Sequence, residues 1–191
     1  EENRTCQNQI ENITTIITNM SGMIDASKEN DTINVEEFEI NQMLKQITIG
    51  LKAQFTKKNI SLEFVTKDKL IVHTDKDKLS QSIYNILTNS YKYTKENGDV
   101  RVSFVPVNDH LVIKIQDTGI GIAMDEINKI FNAYYRSSKA LQTEGDGIGL
   151  YIVKDNIERI GGNISVTSKV KVGSTFSIKI PINYSKEWLH V

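Results

Sequence analysis

One cysteine, two prolines and three histidines in 191 residues leave little room for several kinds of chemistry. Cys6 alone can form no internal disulfide and no cysteine-cluster metal site. His73, His110 and His190 stand far apart and show none of the paired spacing of histidine metal sites. Two prolines make no Pro-rich linker. A net charge of −1 excludes general electrostatic attachment to nucleic acid. No apolar run approaches the roughly 18 residues of a membrane helix, and the opening Glu-Glu-Asn has no secretory pattern. The chain is expected to be a soluble, cytoplasmic piece of a longer protein, whose parent could carry a membrane anchor. What is present is an ordinary globular mixture, 39% hydrophobic and 25% charged. A chain of this length can bury roughly 70% of its unfolded surface without disulfide or metal. Eleven glycines are an average number, but five of them fall at 119/121 and 145/147/149.

Residues 5–28 read as a helix, with Ile10, Ile13, Ile17, Met20 and Ile24 at 3,4 spacing. Such a short seam needs a partner, either the domain's own core or a second helix in a dimerising hairpin. The polar stretch 29–34 marks a boundary. Beyond it the periodicity predicts a strand over 35–40, a helix over 40–57, strands at 60–65 and 70–72, and a helix over 75–93. A hairpin follows at 100–107 and 110–116, turning at Asn108-Asp109. Residues 118–146 are loop-rich, with a short helix expected over 125–131. A helix over 147–160 and strands at 164–168 and 174–180 complete the order. Helices mixed with antiparallel hairpins predict an α/β (α+β) two-layer sandwich, with helices on one face of a mixed sheet.

At 100° per residue, Asn85, Asn89 and Lys92 share one polar edge of the 75–93 helix, while Leu79, Ile83, Ile86 and Leu87 share the buried face. The edge is either solvent-facing or a site. Amide oxygens suit Mg²⁺, and a lysine one turn away suits phosphate. Asp117 ends a strand and precedes Gly119 and Gly121. A buried carboxylate there would accept from adenine's amino group and reject guanine's carbonyl. Gly145-Asp-Gly147-Ile-Gly149-Leu150 opens a helix whose N-terminus suits an anion. It lacks the G-x-x-x-x-G-K-[ST] order of a P-loop. Each loop alone is more often a turn than a site.

Together these pieces resemble the catalytic, ATP-binding domain of sensor histidine kinases, within the GHKL superfamily and its Bergerat fold. Gln81-Ser-Ile-Tyr-Asn85-Ile-Leu-Thr-Asn89-Ser-Tyr-Lys92-Tyr93-Thr94 resembles the N box. Asp117-Thr-Gly119-Ile-Gly121-Ile122 resembles the G1 box, Ile130-Phe131-Asn-Ala-Tyr134-Tyr135-Arg136 the F box, and Gly145 to Leu150 the G2 box. Gly173-Ser-Thr-Phe176 resembles the closing hairpin. The resemblance implies three segments: residues 1–33 from a dimerisation and phosphotransfer hairpin, an ATP-binding domain over 34–182, and an extension over 183–191.

The resemblance also implies roles. Asn89 would be the principal Mg²⁺ ligand, with Asn85 beside it, and Lys92 and Arg136 would face the phosphates. Asn85, Lys92 and Arg136 form the implied catalytic set. Tyr93, Asp117, Gly119, Gly121, Ile122, Phe131, Gly145, Gly147, Ile148, Gly149, Leu150 and Thr175 complete the implied nucleotide site. A lid would run from about Arg136 to Gly147. The implied partners are ATP, the chain's own hairpin in a homodimer, and a response-regulator receiver domain.

Two departures stand out. None of the three histidines has the setting of the family's phosphoacceptor, so the acceptor helix is expected to lie outside these residues. Asp146 stands where a small hydroxyl residue is usual, and its carboxylate either opposes the triphosphate or turns away. Rival readings are a serine kinase or a gyrase- or MutL-like ATPase. The latter carry a glutamate base where this chain has Asn85. A further rival is a nucleotide-binding module without kinase activity.

Overall fold

A computed structural model describes residues 32–66, 68–137 and 145–185. The chain divides after Thr32, and the elements below all belong to the second unit, Ile33–Val191. The expected seam helix over 5–28, the centre of the expected lid (138–144) and the end of the expected extension (186–191) lie outside the described residues.

The elements are β1 (Val35–Glu39), α1 (Ile40–Lys57), β2 (Ser61–Phe64), β3 (Ile71–Asp75), α2 (Lys76–Tyr93), β4 (Asp99–Val107), β5 (His110–Asp117), α3 (Gly149–Arg159), β6 (Asn163–Lys169) and β7 (Gly173–Pro181). Five strands form one sheet in the order β2-β4-β5-β7-β6, and β1 pairs with β3 in a separate ribbon. β2 runs parallel to β4, and the other pairings are antiparallel, so the sheet is mixed as expected.

Strict alternation explains why the sheet has one dry face. Val100, Val102 and Phe104 of β4, Leu111, Ile113 and Ile115 of β5, and Phe176, Ile178 and Ile180 of β7 are buried. Between them Arg101, Lys114 and Gln116 are exposed. The helices cover the dry face with Leu44, Leu51 and Phe55 of α1, Leu79, Ile83, Ile86 and Leu87 of α2, and Val153 and Ile157 of α3, all in one core. The result is the expected two-layer sandwich.

α2, the helix with the polar edge, is fixed at its start by Asp75. One carboxylate oxygen accepts from Lys78 N at 3.0 Å, and the other accepts from Asn34 N at 2.9 Å. Asp75 is buried, so its loss would orphan both donors. Asp75→Ala is expected to cost about 1–2 kcal/mol, read as a lower urea midpoint at unchanged slope.

Two expectations need correction. Residues 125–131 form successive turns rather than a helix. Bonds from Glu126 N to Ala123 O, Lys129 N to Glu126 O and Asn132 N to Lys129 O span three residues each, and Ile130 N to Glu126 O alone spans four. So short a segment cannot repay helix nucleation, and Ile130 and Phe131 are held by the core instead. The next helix begins at Gly149, not Gly147, because Gly147 has φ +75° and cannot be helical.

Candidate functional site

The polar edge of α2 faces the 145–149 loop. Asn85 is 6% exposed, which excludes a solvent-facing role for it. Its Nδ2 donates to Gly149 O at 3.4 Å. A Cβ added to Gly149 would stand 4.0 Å from Asn85 Cγ, and one added to Gly145 would stand 3.8 Å from Lys92 Nζ. Asn89 lies between Asn85 and Lys92 on the same edge and is half-buried. Gly145 and Gly149 thus bring their backbone beside an ammonium and a carboxamide, with a side chain's ordinary contact distance between them. Asn156 Nδ2, buried on α3, donates to Gln81 Oε1 at 2.7 Å and holds the two helices together.

The aromatic stretch joins the same wall. A Cβ at Gly147 would lie 2.8 Å from Tyr135 O and 3.1 Å from Arg136 Cγ. Phe131, Tyr135 and Leu150 pack on the core, and Ile148 is buried. The Asp146 carboxylate turns back on its own loop and accepts from Ile148 N at 3.1 Å.

Asp117, the last residue of β5, forms the other end. It is 7% exposed, and its Oδ1 accepts from Gly119 N at 2.9 Å and Ser174 N at 3.2 Å. The buried Ser90 hydroxyl of α2 adjoins this carboxylate but completes no hydrogen bond of good geometry. Burial raises the Asp117 pKa, and the two N–H groups and Ser90 oppose that rise. The following loop is clamped on both sides. Ile120 N donates to Tyr93 O at 3.2 Å, Ile120 O accepts from Lys171 N at 2.7 Å, and Ile122 N donates to Ser168 Oγ at 2.8 Å.

One predicted residue is displaced by a single position. The register pairs Asp117 with Ser174 and Gln116 with Thr175. Pleating therefore sets Thr175 on the sheet face opposite Asp117, and Ser174 is the hairpin residue that meets the carboxylate. Ser174, Ser90 and Ser168 were missed by sequence reasoning. Only the strand register, which pairs Ser168 with Ser174 as well, could have found two of them.

Among the described residues no group of three His, Cys, Asp or Glu is placed to hold a metal. A hard divalent cation could instead take oxygen from Asn89 and Asn85, because Asn85 uses its nitrogen on Gly149 O. His73 Nε2 lies 2.9 Å from Glu37 Oε2 on the separate ribbon. His110 begins β5, seven residues or ~23 Å of strand from Asp117. Neither adjoins the wall.

Comparison with known proteins gives the family and the fold. A family model described as histidine kinase-, DNA gyrase B-, and HSP90-like ATPase matches residues 74–184, more than half of the chain. The sensor protein kinase WalK of Staphylococcus aureus (strain MRSA252) is 33% identical over 159 residues, covering 80% of this chain and 26% of that protein. The chain therefore spans about a quarter of that relative's length. Full-length ShkA in complex with AMPPNP superposes with a TM-score of 0.80 at 21% identity, over 91% of this chain and 36% of that one. Histidine kinase ThkA in complex with the response regulator TrrA gives 0.72 at 22% identity, over 91% and 49%.

Proposed function

The chain belongs to the histidine kinase-, DNA gyrase B-, and HSP90-like ATPase family, and within it we propose that residues 34–182 hold Mg²⁺-ATP and deliver its γ-phosphoryl group to a histidine. The observation that carries the reading is that both ends of a nucleotide site meet on one helix. Ser90 near the end of α2 adjoins Asp117, and Asn85 adjoins Gly149. Roughly 7–8 Å of helix axis separates Asn85 from Ser90, a span suited to a base at one end and phosphates at the other.

Asp117 holds Oδ1 on two backbone N–H groups, which leaves Oδ2 to accept from the exocyclic amino group of adenine. Tyr93 flanks the adenosine. Lys92, and Arg136 brought in beside Gly147, neutralise phosphate charge, and Gly145 and Gly149 leave room for phosphates against their backbone. Mg²⁺ bound by Asn89 and Asn85 would neutralise the triphosphate and hold it in line. The protein's contribution is positioning, since no side chain here needs to become covalently attached. Asn85 supplies no general base, which favours transfer to histidine over hydrolysis.

The acceptor histidine belongs to a helix of the dimerisation hairpin, to which residues 1–33 contribute, and the phosphoryl group then passes to a receiver-domain aspartate. We place the domain in the cytoplasm as part of a homodimeric sensor. No described helix is long and apolar enough to cross a membrane.

The test is to mix the chain with Mg²⁺-ATP and a separate acceptor hairpin. Acid-labile label is expected on the hairpin and none on this chain. Label on this chain would overturn the acceptor assignment. Tight binding without transfer to the hairpin would favour a nucleotide-binding module.

A further inference from the structure

The carbonyl groups at the end of α2 are satisfied from an unexpected quarter. An α-helix leaves its last four carbonyls without intrahelical partners, here those of Ser90, Tyr91, Lys92 and Tyr93. Thr94 N donates to Ser90 O at 2.9 Å, and Ile120 N of the Asp117–Gly121 loop donates to Tyr93 O at 3.2 Å. No glycine cap serves the remaining two. Lys58, the C-cap residue just after α1, does so: its Nζ donates to Tyr91 O at 2.9 Å and Lys92 O at 3.3 Å, and also to Thr94 O at 2.7 Å.

All three ammonium donors are thus aimed at one helix end. A cation there also complements the helix dipole, and Nζ lies 5.2 Å from the centre of the Tyr91 ring. Lys58 itself is held in place. Its N–H donates to Phe55 O at 3.1 Å, and Asn59, at φ +53°, turns the chain into β2. Asn97 N donates to Asn59 O at 3.0 Å, and Ser61 N to Gly98 O at 2.9 Å, so this corner is tied to the segment that leaves α2.

We propose that Lys58 is a positioning residue of the nucleotide site, fixing the last turn of α2 and through it Lys92, Tyr93 and the Gly119–Gly121 loop. The reach is short. Lys92 and Tyr93 belong to the turn that Lys58 caps, and the Tyr93 carbonyl is the anchor of Ile120. Lys58 touches no ligand in this arrangement. It acts by setting the pose of groups that do, and it rests on the reading of the site given above.

The test compares the parent chain with Lys58→Met, which keeps the aliphatic stem, and Lys58→Arg, which keeps the cation and its donors. Phe64→Leu serves as a control for general destabilisation, since Phe64 stacks on Phe104 and touches none of these groups. Mg²⁺-ATP affinity, amide exchange at Ile120 without nucleotide, and the urea midpoint are measured for each. Lys58→Met is expected to weaken affinity by about tenfold and to speed Ile120 exchange, with Lys58→Arg recovering most of both. Phe64→Leu is expected to lower the midpoint without either change. Parental affinity in Lys58→Met, or an equal loss of affinity in Phe64→Leu at a matched midpoint, would overturn the role of Lys58 alone. Absence of Mg²⁺-ATP binding by the parent would overturn both this role and the nucleotide site.

Discussion

Asp117→Asn is expected to weaken Mg²⁺-ATP binding by a factor on the order of 10² to 10⁴ while leaving the ligand-free protein at least as stable as the parent. The two effects separate because they come from different atoms. An asparagine can keep Oδ1 on Gly119 N and Ser174 N, so the loop geometry survives. The other position changes from an acceptor to an N–H₂ donor, which faces adenine's own amino group. For the same reason GTP should compete better against ATP in the variant.

The stability effect follows from the raised pKa. Asp117 has its pKa raised from 3.8, chiefly by burial. Its favourable contribution is therefore complete below pH 3.8 and is lost as pH rises through the raised folded value. Once ionised, the carboxylate is a burden on the ligand-free fold, and the amide removes it. The melting temperature of Asp117→Asn minus that of the parent should accordingly grow as pH rises above 3.8 and level off above the raised folded value. Calorimetric titration with Mg²⁺-ATP checks the first claim. Affinity within threefold of the parent would sink the adenine assignment.

Gly121→Ala is expected to cost about 2–5 kcal/mol and to reduce nucleotide binding as a consequence. Gly121 has φ +69°, a conformation that a side chain disfavours. An added Cβ would stand 2.1 Å from Lys169 O and 2.8 Å from Val170 Cα, which is backbone and cannot rotate aside. The loop would have to leave the β6–β7 turn, breaking the bond from Lys171 N to Ile120 O. Urea unfolding of the ligand-free protein measures the cost. A midpoint equal to the parent's would show that the loop has slack the structure does not indicate.

Gly121 also shows where sequence reading reached its limit. The two-residue spacing of Gly119 and Gly121 suggests room for a ligand. In the structure their lack of Cβ admits other protein atoms: Tyr93 O and the Asp117 carboxylate at Gly119, and Lys169 O at Gly121. At Gly145 and Gly149, by contrast, an added Cβ would meet only a side chain at ordinary contact distance, Lys92 Nζ at 3.8 Å and Asn85 Cγ at 4.0 Å. Spacing alone cannot tell these cases apart, because it carries no information on what packs opposite.

The stripe of α2 was legible, since a 3.6-residue period fixes which side chains share an edge. What that edge faces required Gly149, which is remote in sequence. The choice of Thr175 over Ser174 failed on parity. A strand's alternation is visible in sequence, but its register against β5 is not, and one residue exchanges the faces. The helix expected over 125–131 failed for a different reason. Its apolar spacing is real but serves contact with the core over too short a length.

The bonds that define the site also fix when it can exist. Asp117 waits for Ser174, 57 residues later, and Asn85 for Gly149, 64 residues later. During synthesis, a nascent chain that has emerged as far as α3 can join Asn85 to Gly149 but leaves Asp117 without Ser174. Nucleotide can then act as a late clasp on a nearly finished chain, stabilising it only once β7 has threaded between β5 and β6.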